Sequence, residues 1–145
     1  CRCSAQQVEQ YMRRVSGPLL DRIDMHIEVP SVEYEAMRRK EQPETSAAVR
    51  QRVNAAREVQ KRRFEGTAVT CNAYMTPAMI GQYCQLDAAG EKVMQGAFER
   101  LGLTGRSHDR ILRMARTIAD LDGAENIQVQ HLAEAIQYRS SNLLK

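Results

Sequence analysis

The stretch from Gly105 to Leu121 limits the possible folds more than any other part of this chain. Ile111, Met114, Ala115, Ile118 and Leu121 recur at the three- and four-residue spacing of one helix face, while Arg106, Arg110, Arg113 and Asp120 take the opposite side. A helix with one apolar stripe has to bury that stripe against another layer. Composition indicates which kind: 43% of the residues are hydrophobic but only 5% are aromatic, and there is no Trp. An interior of Leu, Ile, Val, Met and Ala suits packed helices better than a sandwich or barrel of β-branched and aromatic strands. The fold class expected is therefore mainly α.

Helix start and stop signals divide the rest of the chain. Ser46 is expected to cap a long helix reaching Phe64, with Val49, Val53, Ala56 and Phe64 on one face. Thr76-Pro77 starts a short helix to about Tyr83, and Asp87 caps another that Gly102 stops after Leu101. Asp122-Gly123 ends the patterned helix, and Gln130 to Tyr138 forms the last one. Upstream, Ser4 with Gln7 reads as a capping box for a helix to Val15, and Gly17-Pro18 ends it and opens a short helix through Arg22. Met25 to Val29 alternates apolar and polar and stops at Pro30, which predicts a strand. A lone strand is not stable, so its sheet is expected in residues this chain lacks.

This gives three parts. Residues 1–30 read as the trailing helix and strand of a mixed α/β domain, 31–45 as a polar linker, and 46–145 as a bundle of four to five helices. The split is asymmetric and the chain opens on Cys1 rather than Met. The expectation is a fragment of a larger protein, in which residues 1–45 are less ordered than the bundle.

Several function classes are disfavoured. A formal net charge of +3 permits contact with nucleic acid but does not argue for it. Arg50, Arg57 and Lys61, with Arg62 and Arg63 close by, line the long helix without interleaved aromatics, so a solvated exterior is the first reading. No run approaches the roughly 18 apolar residues of a membrane span, and no secretory signal opens the chain, which points to the cytoplasm. Cys1, Cys3, Cys71 and Cys84 are too few and scattered for a disulfide scaffold. His26, His108 and His131 lack metal-type spacing; His26 reads as strand surface and the other two as helix-terminus residues.

Two arginine segments carry the chemistry. In Ser16-Gly-Pro-Leu-Leu-Asp-Arg-Ile-Asp24, spacing alone makes Arg22 a surface residue paired with Asp21 or Asp24. In Thr104-Gly-Arg-Ser-His-Asp-Arg-Ile-Leu-Arg-Met-Ala-Arg116, Arg106 stands in the first turn of a helix, where its charge adds to the field that favours phosphates. Arg110, Arg113 and Arg116 read as a solvated face paired with Asp109 and Asp120.

These segments resemble the arginine-finger and sensor-2 elements of magnesium-chelatase-like AAA+ ATPases, in their competence-type (ComM-like) branch. The resemblance runs nearly the whole length, through Asn72-Ala73, Asp109 to Leu121, and His131-Leu-Ala-Glu-Ala-Ile-Gln-Tyr-Arg139. The finger segment is also similar to the Leu-Ser-Arg-Phe-Asp segment of replicative minichromosome-maintenance helicases. Where the family more often has Ser-Ala-Arg-Ala-Tyr-Asp, this chain has Thr104-Gly-Arg-Ser-His-Asp109, and the arginine is kept. The resemblance implies that residues 1–30 end an AAA+ α/β core, that 46–145 is the helical lid, that Arg22 is the finger and that Arg106 is sensor 2.

The same resemblance implies a ring, expected to be a hexamer, that uses ATP and Mg²⁺ and moves branched DNA in recombination and natural transformation. The Gly-x-x-x-x-Gly-Lys-Ser/Thr phosphate loop is absent from this sequence, so neither hydrolysis nor tight ATP binding is expected of the chain alone. In the family a Cys-Pro-Cys-Gly stretch lies shortly upstream, which makes Cys1 and Cys3 candidates for half of a zinc site; four ligands would be needed. Two other readings stay open. One is a non-catalytic helical module that docks protein or DNA; the other is the ATPase subunit of a metal chelatase.

Overall fold

The computed structural model describes residues 3–12, 19, 22–32, 34, 38 and 44–139. Among them are six α-helices and one 3₁₀ turn: α1 (Ala5–Met12), α2 (Ser46–Arg63), the turn Asn72–Tyr74, α3 (Pro77–Tyr83), α4 (Ala88–Leu101), α5 (Gly105–Leu121) and α6 (Val129–Gln137). The mainly-α expectation and the helical bundle hold. Residues 25–30 carry no regular element, and no described segment is placed to pair with them as a strand. The rest of the 31–45 linker lies mostly outside the described residues.

Local chemistry explains where the helices begin and end. Ser4 and Gln7 cap α1 reciprocally: the Ser4 N–H donates to Gln7 Oε1 at 2.8 Å and the Gln7 N–H to Ser4 Oγ at 3.3 Å. The cap of α2 falls one residue earlier than expected, since Thr45 rather than Ser46 accepts from the Ala48 N–H. Thr76, Asp87 and Thr104 accept from the third backbone N–H beyond them at the starts of α3, α4 and α5. Gly102 closes α4 in the left-handed region at φ +59°, a conformation that costs glycine little.

The core joins Phe64 and Met75 to Ile80, Met94, Ile111 and Leu132. Phe64 meets the Tyr83 ring edge-on at 5.8 Å. Of the face expected on α2, only Ala56 and Phe64 are buried. Residues 46–55 are all exposed, Val49 and Val53 among them.

The buried side of α5 is turned roughly one residue step, about 100°, from its purely apolar stripe. Ile111 and Ala115 are inside as expected, but so are Leu112, Arg116, Ala119 and Asp120, whereas Leu121 is exposed. The cause is an ionic cluster that this helix carries into the interior.

Candidate functional site

Asp120 is the centre of that cluster. Its side chain is fully buried, and Arg63 approaches it from α2 as a two-pronged partner, at 2.7 Å to Oδ2 and 2.5 Å to Oδ1. Arg116, one turn earlier on α5, donates Nε to Oδ1 at 3.1 Å. Asn72 donates its amide to Asp120 Oδ2 at 2.8 Å and to Thr117 Oγ1 at 3.1 Å, and accepts from Arg63 at 2.9 Å. The two remaining Arg116 nitrogens donate to the carbonyls of Ala124 and Glu125 in the turn before α6.

Two helices and the Asn72 turn thus meet on one carboxylate, and Arg116 ties in the turn before α6. Burial pulls the Arg116 guanidinium below its ordinary value, and the Asp120 charge opposes that pull. The solvated-face reading of Arg116 is corrected accordingly: its partner is Asp120 as expected, but both are inside. Arg63, read as part of a basic helix exterior, is also turned inward. This cluster ties the bundle together and leaves no group free for chemistry.

The sequence-predicted arginines lie at the other end of α5. Arg106 is exposed in the first turn, at the second helical position after the Thr104 cap. Arg22 is exposed and helical in backbone, as is Leu19, so the described residues of the expected short helix are both helical. The structure joins the two regions through Arg110, which lies four residues beyond Arg106. One Arg110 nitrogen donates to the Arg22 carbonyl at 2.6 Å and to Asp24 Oδ1 at 2.5 Å. Arg139, just past α6, donates to the Ile23 carbonyl at 3.2 Å and to Ser107 Oγ at 3.4 Å. The His26 N–H completes the set by donating to the Tyr138 carbonyl at 2.8 Å.

The histidines divide between expectation and correction. His26 is not on an open surface: both ring nitrogens are buried without a hydrogen-bond partner among the described residues. His131 does sit near its helix terminus, and buried. The Gln128 N–H donates to its Nδ1 at 3.0 Å, which places the proton on Nε2, 3.0 Å from Asp122 Oδ2. For the candidate zinc ligands, Cys3 is exposed and Cys1 lies outside the described residues. No group of three or more His, Cys, Asp or Glu side chains among the described residues could hold a metal.

The sequence singled out Arg22, Arg106 and the Asn72-Ala73 pair, but it did not single out Arg110 and Arg139 as joints or Asp120 as a buried hub. One signal was available: Arg116 lies four residues after Leu112 and Asp120 four after Arg116, so both share the buried arc of the helix.

The class these features define is a helical bundle domain with an exposed arginine opening its central helix and a preceding segment clamped beside it. Residues 43–139 match the family described as "Magnesium chelatase, subunit ChlI C-terminal", and residues 1–37 match "Magnesium chelatase, subunit ChlI". The chain belongs to this magnesium-chelatase-like family, which is related to AAA+ ATPases. It is 41% identical over 140 residues to Competence protein ComM of Haemophilus influenzae, covering 96% of this chain and 27% of that protein. It is 40% identical over 144 residues to YifB of Escherichia coli, an uncharacterized protein, covering 99% and 28% respectively. An uncharacterized protein of Mycobacterium tuberculosis is 30% identical over 141 residues, covering 97% and 28%. The chain therefore spans little more than a quarter of the curated relatives it matches. No helix among the described residues is long and apolar enough to cross a membrane.

Proposed function

We propose that this chain is the finger-and-lid part of a ring-forming AAA+ ATPase, in which residues 1–30 end the α/β core, 31–45 link, and 46–145 form the lid. The observation that carries the reading is the placement of Arg106 and Arg22. One opens the central helix of the bundle, and the other stands exposed on a segment clamped to that same helix.

Phosphoryl transfer is catalysed by positioning and by neutralising charge on the γ-phosphate and leaving oxygens, which a permanently charged planar guanidinium does well. Arg22 would supply that charge across a subunit boundary. Arg106 would contact the β- and γ-phosphates from a helix start whose backbone N–H groups favour anions. The Mg²⁺ that accompanies ATP neutralises phosphate charge when bound; the described residues include no acidic cluster for it. This chain contributes cations to a nucleotide whose phosphate loop lies elsewhere.

The motor proposed is cytoplasmic and hexameric and remodels branched DNA; the likeness to a protein named for competence, ComM, favours a part in natural transformation. The test is ATP hydrolysis by the full-length protein with and without branched DNA, beside Arg22→Ala. Stimulation by DNA that disappears in the variant is expected. The name of the matched family favours a second reading, the ATPase subunit of a metal chelatase. Hydrolysis indifferent to DNA but dependent on Arg22 would select it. Hydrolysis indifferent to both would leave a helical docking module.

A further inference from the structure

We infer that Arg110 is a positioning residue for the Arg22 finger, tying it to the helix that carries Arg106, so that one rigid element governs both phosphate-facing arginines of a subunit. This rests on the finger and sensor-2 reading above and adds to it the part that sets the finger's place.

The carbonyls of two successive residues, Arg22 and Ile23, are captured by two different guanidiniums, Arg110 from α5 and Arg139 from just beyond α6. The two peptide planes held in this way flank Ile23, and the first contains the Arg22 Cα, which limits where the Arg22 side chain starts. Arg110 also grips Asp24, so a single side chain spans the residue that reaches out and the bend that follows it. The His26 N–H bond to Tyr138 secures the far end of the segment.

Among the described residues, apolar packing adds little to these links, although the His26 ring turns inward. Leu19, Ile23, Met25 and Ile27 all remain exposed. Beneath Asp24 lies a cavity of about 250 Å³ lined by Ala73, Arg110, Arg113, Met114 and Thr117. The segment is held by polar contacts over a space, so its position depends on them.

Arg106 and Arg110 are four residues apart on α5 and therefore neighbours on one face. A shift of α5 when Arg106 meets phosphate would be carried to Arg110 without bending, and from there to the Arg22 backbone. The nucleotide held by one subunit would thereby move the finger that subunit offers to its neighbour. Misplacing a catalytic group by about 1 Å costs on the order of a hundredfold in rate, so a loosened anchor should reduce turnover while leaving ATP affinity alone.

The experiment is steady-state ATP hydrolysis by full-length rings of the wild type, Arg22→Ala, Arg110→Gln, Asp24→Asn and the Arg110→Gln/Asp24→Asn double variant, with ring assembly and thermal melting followed in parallel. Arg110→Gln is expected to lower kcat roughly 10- to 100-fold, with KM for ATP, assembly and melting temperature close to wild type. Asp24→Asn leaves the bond to the Arg22 carbonyl and should lower kcat less; the double variant should be no slower than Arg110→Gln alone. An Arg110→Gln enzyme with wild-type kcat beside a crippled Arg22→Ala overturns the anchor and leaves the finger standing. Wild-type activity in both removes the finger reading itself. If Arg110→Gln fails to assemble, Asp24→Asn decides: a lowered kcat at unchanged KM supports the anchor, and wild-type kcat overturns it.

Discussion

Among the described residues, two arginine–carboxylate assemblies stand at opposite ends of α5, and they differ in almost everything except chemistry. At the C-terminal end, Asp120 is fully buried and receives Arg63, Arg116 and Asn72. At the N-terminal end, Arg110 grips an Asp24 whose side chain is 63% exposed. Removing one partner from a buried pair leaves an uncompensated charge in the interior, whereas an exposed pair is screened by water and contributes little to stability. The first assembly fixes which helices pack together. The second, on the function proposed above, sets where the Arg22 side chain stands, at small thermodynamic cost if lost. Burial of the carboxylate, rather than the identity of the pair, decides which of these roles it has.

The largest test of that contrast is Asp120→Ala, which strands two guanidiniums and the Asn72 amide. A loss of roughly 3–5 kcal/mol in unfolding free energy is expected from denaturant titration. A loss below about 1 kcal/mol, the exposed-pair range, would erase the distinction.

A second test uses Cys84, buried close to the same cluster. Burial pushes its thiol up to about 11, against the opposing pull of the Arg116 and Arg63 guanidiniums. The folded value lies above the ordinary 9.0, so the thiol's contribution to stability is complete below pH 9 and is lost as pH rises through about 11. Stability measured across that window should fall, and Cys84→Ala should flatten the fall. In native protein near neutral pH, exposed Cys3 should react with a thiol reagent while Cys84 stays protected.

Thr104→Ala removes the cap of α5 beside the exposed assembly and should cost about 1 kcal/mol, with Thr104→Ser retaining most of the stability. The smallest effect is expected from Asp24→Asn, within about 1 kcal/mol by thermal melting. A cost near that of Asp120→Ala would show that the segment from Arg22 to His26 is part of the bundle's stability, contrary to the division drawn here.

Helix existence and helix ends were legible in the sequence. Ser4-Gln7, Thr76-Pro77, Asp87 and Gly102 act within one turn of themselves, so nearest-neighbour chemistry settles them. The family's two arginine segments were legible for a similar reason, being contiguous motifs. The buried face of α5 was not, because polar residues at positions 116 and 120 read as solvent-facing until Arg63 and Asn72 arrive from 57 and 48 residues away. The exposed half of α2 was missed in the same way: Val49 and Val53 fit an apolar face, but among the described residues nothing buries them.

By itself, then, the sequence determined that this protein is mainly helical and, to within about a residue, where most of its described helices start and stop. Those properties depend on periodicity and on contacts a few residues long. Only the tertiary structure decided that Asp120 is a hub, and that Arg110 and Arg139 hold the Arg22–Ile23 backbone across separations of 88 and 116 residues. A guanidinium carries the same charge wherever it lies in the chain; its partner and its burial are set by where the fold brings distant segments together.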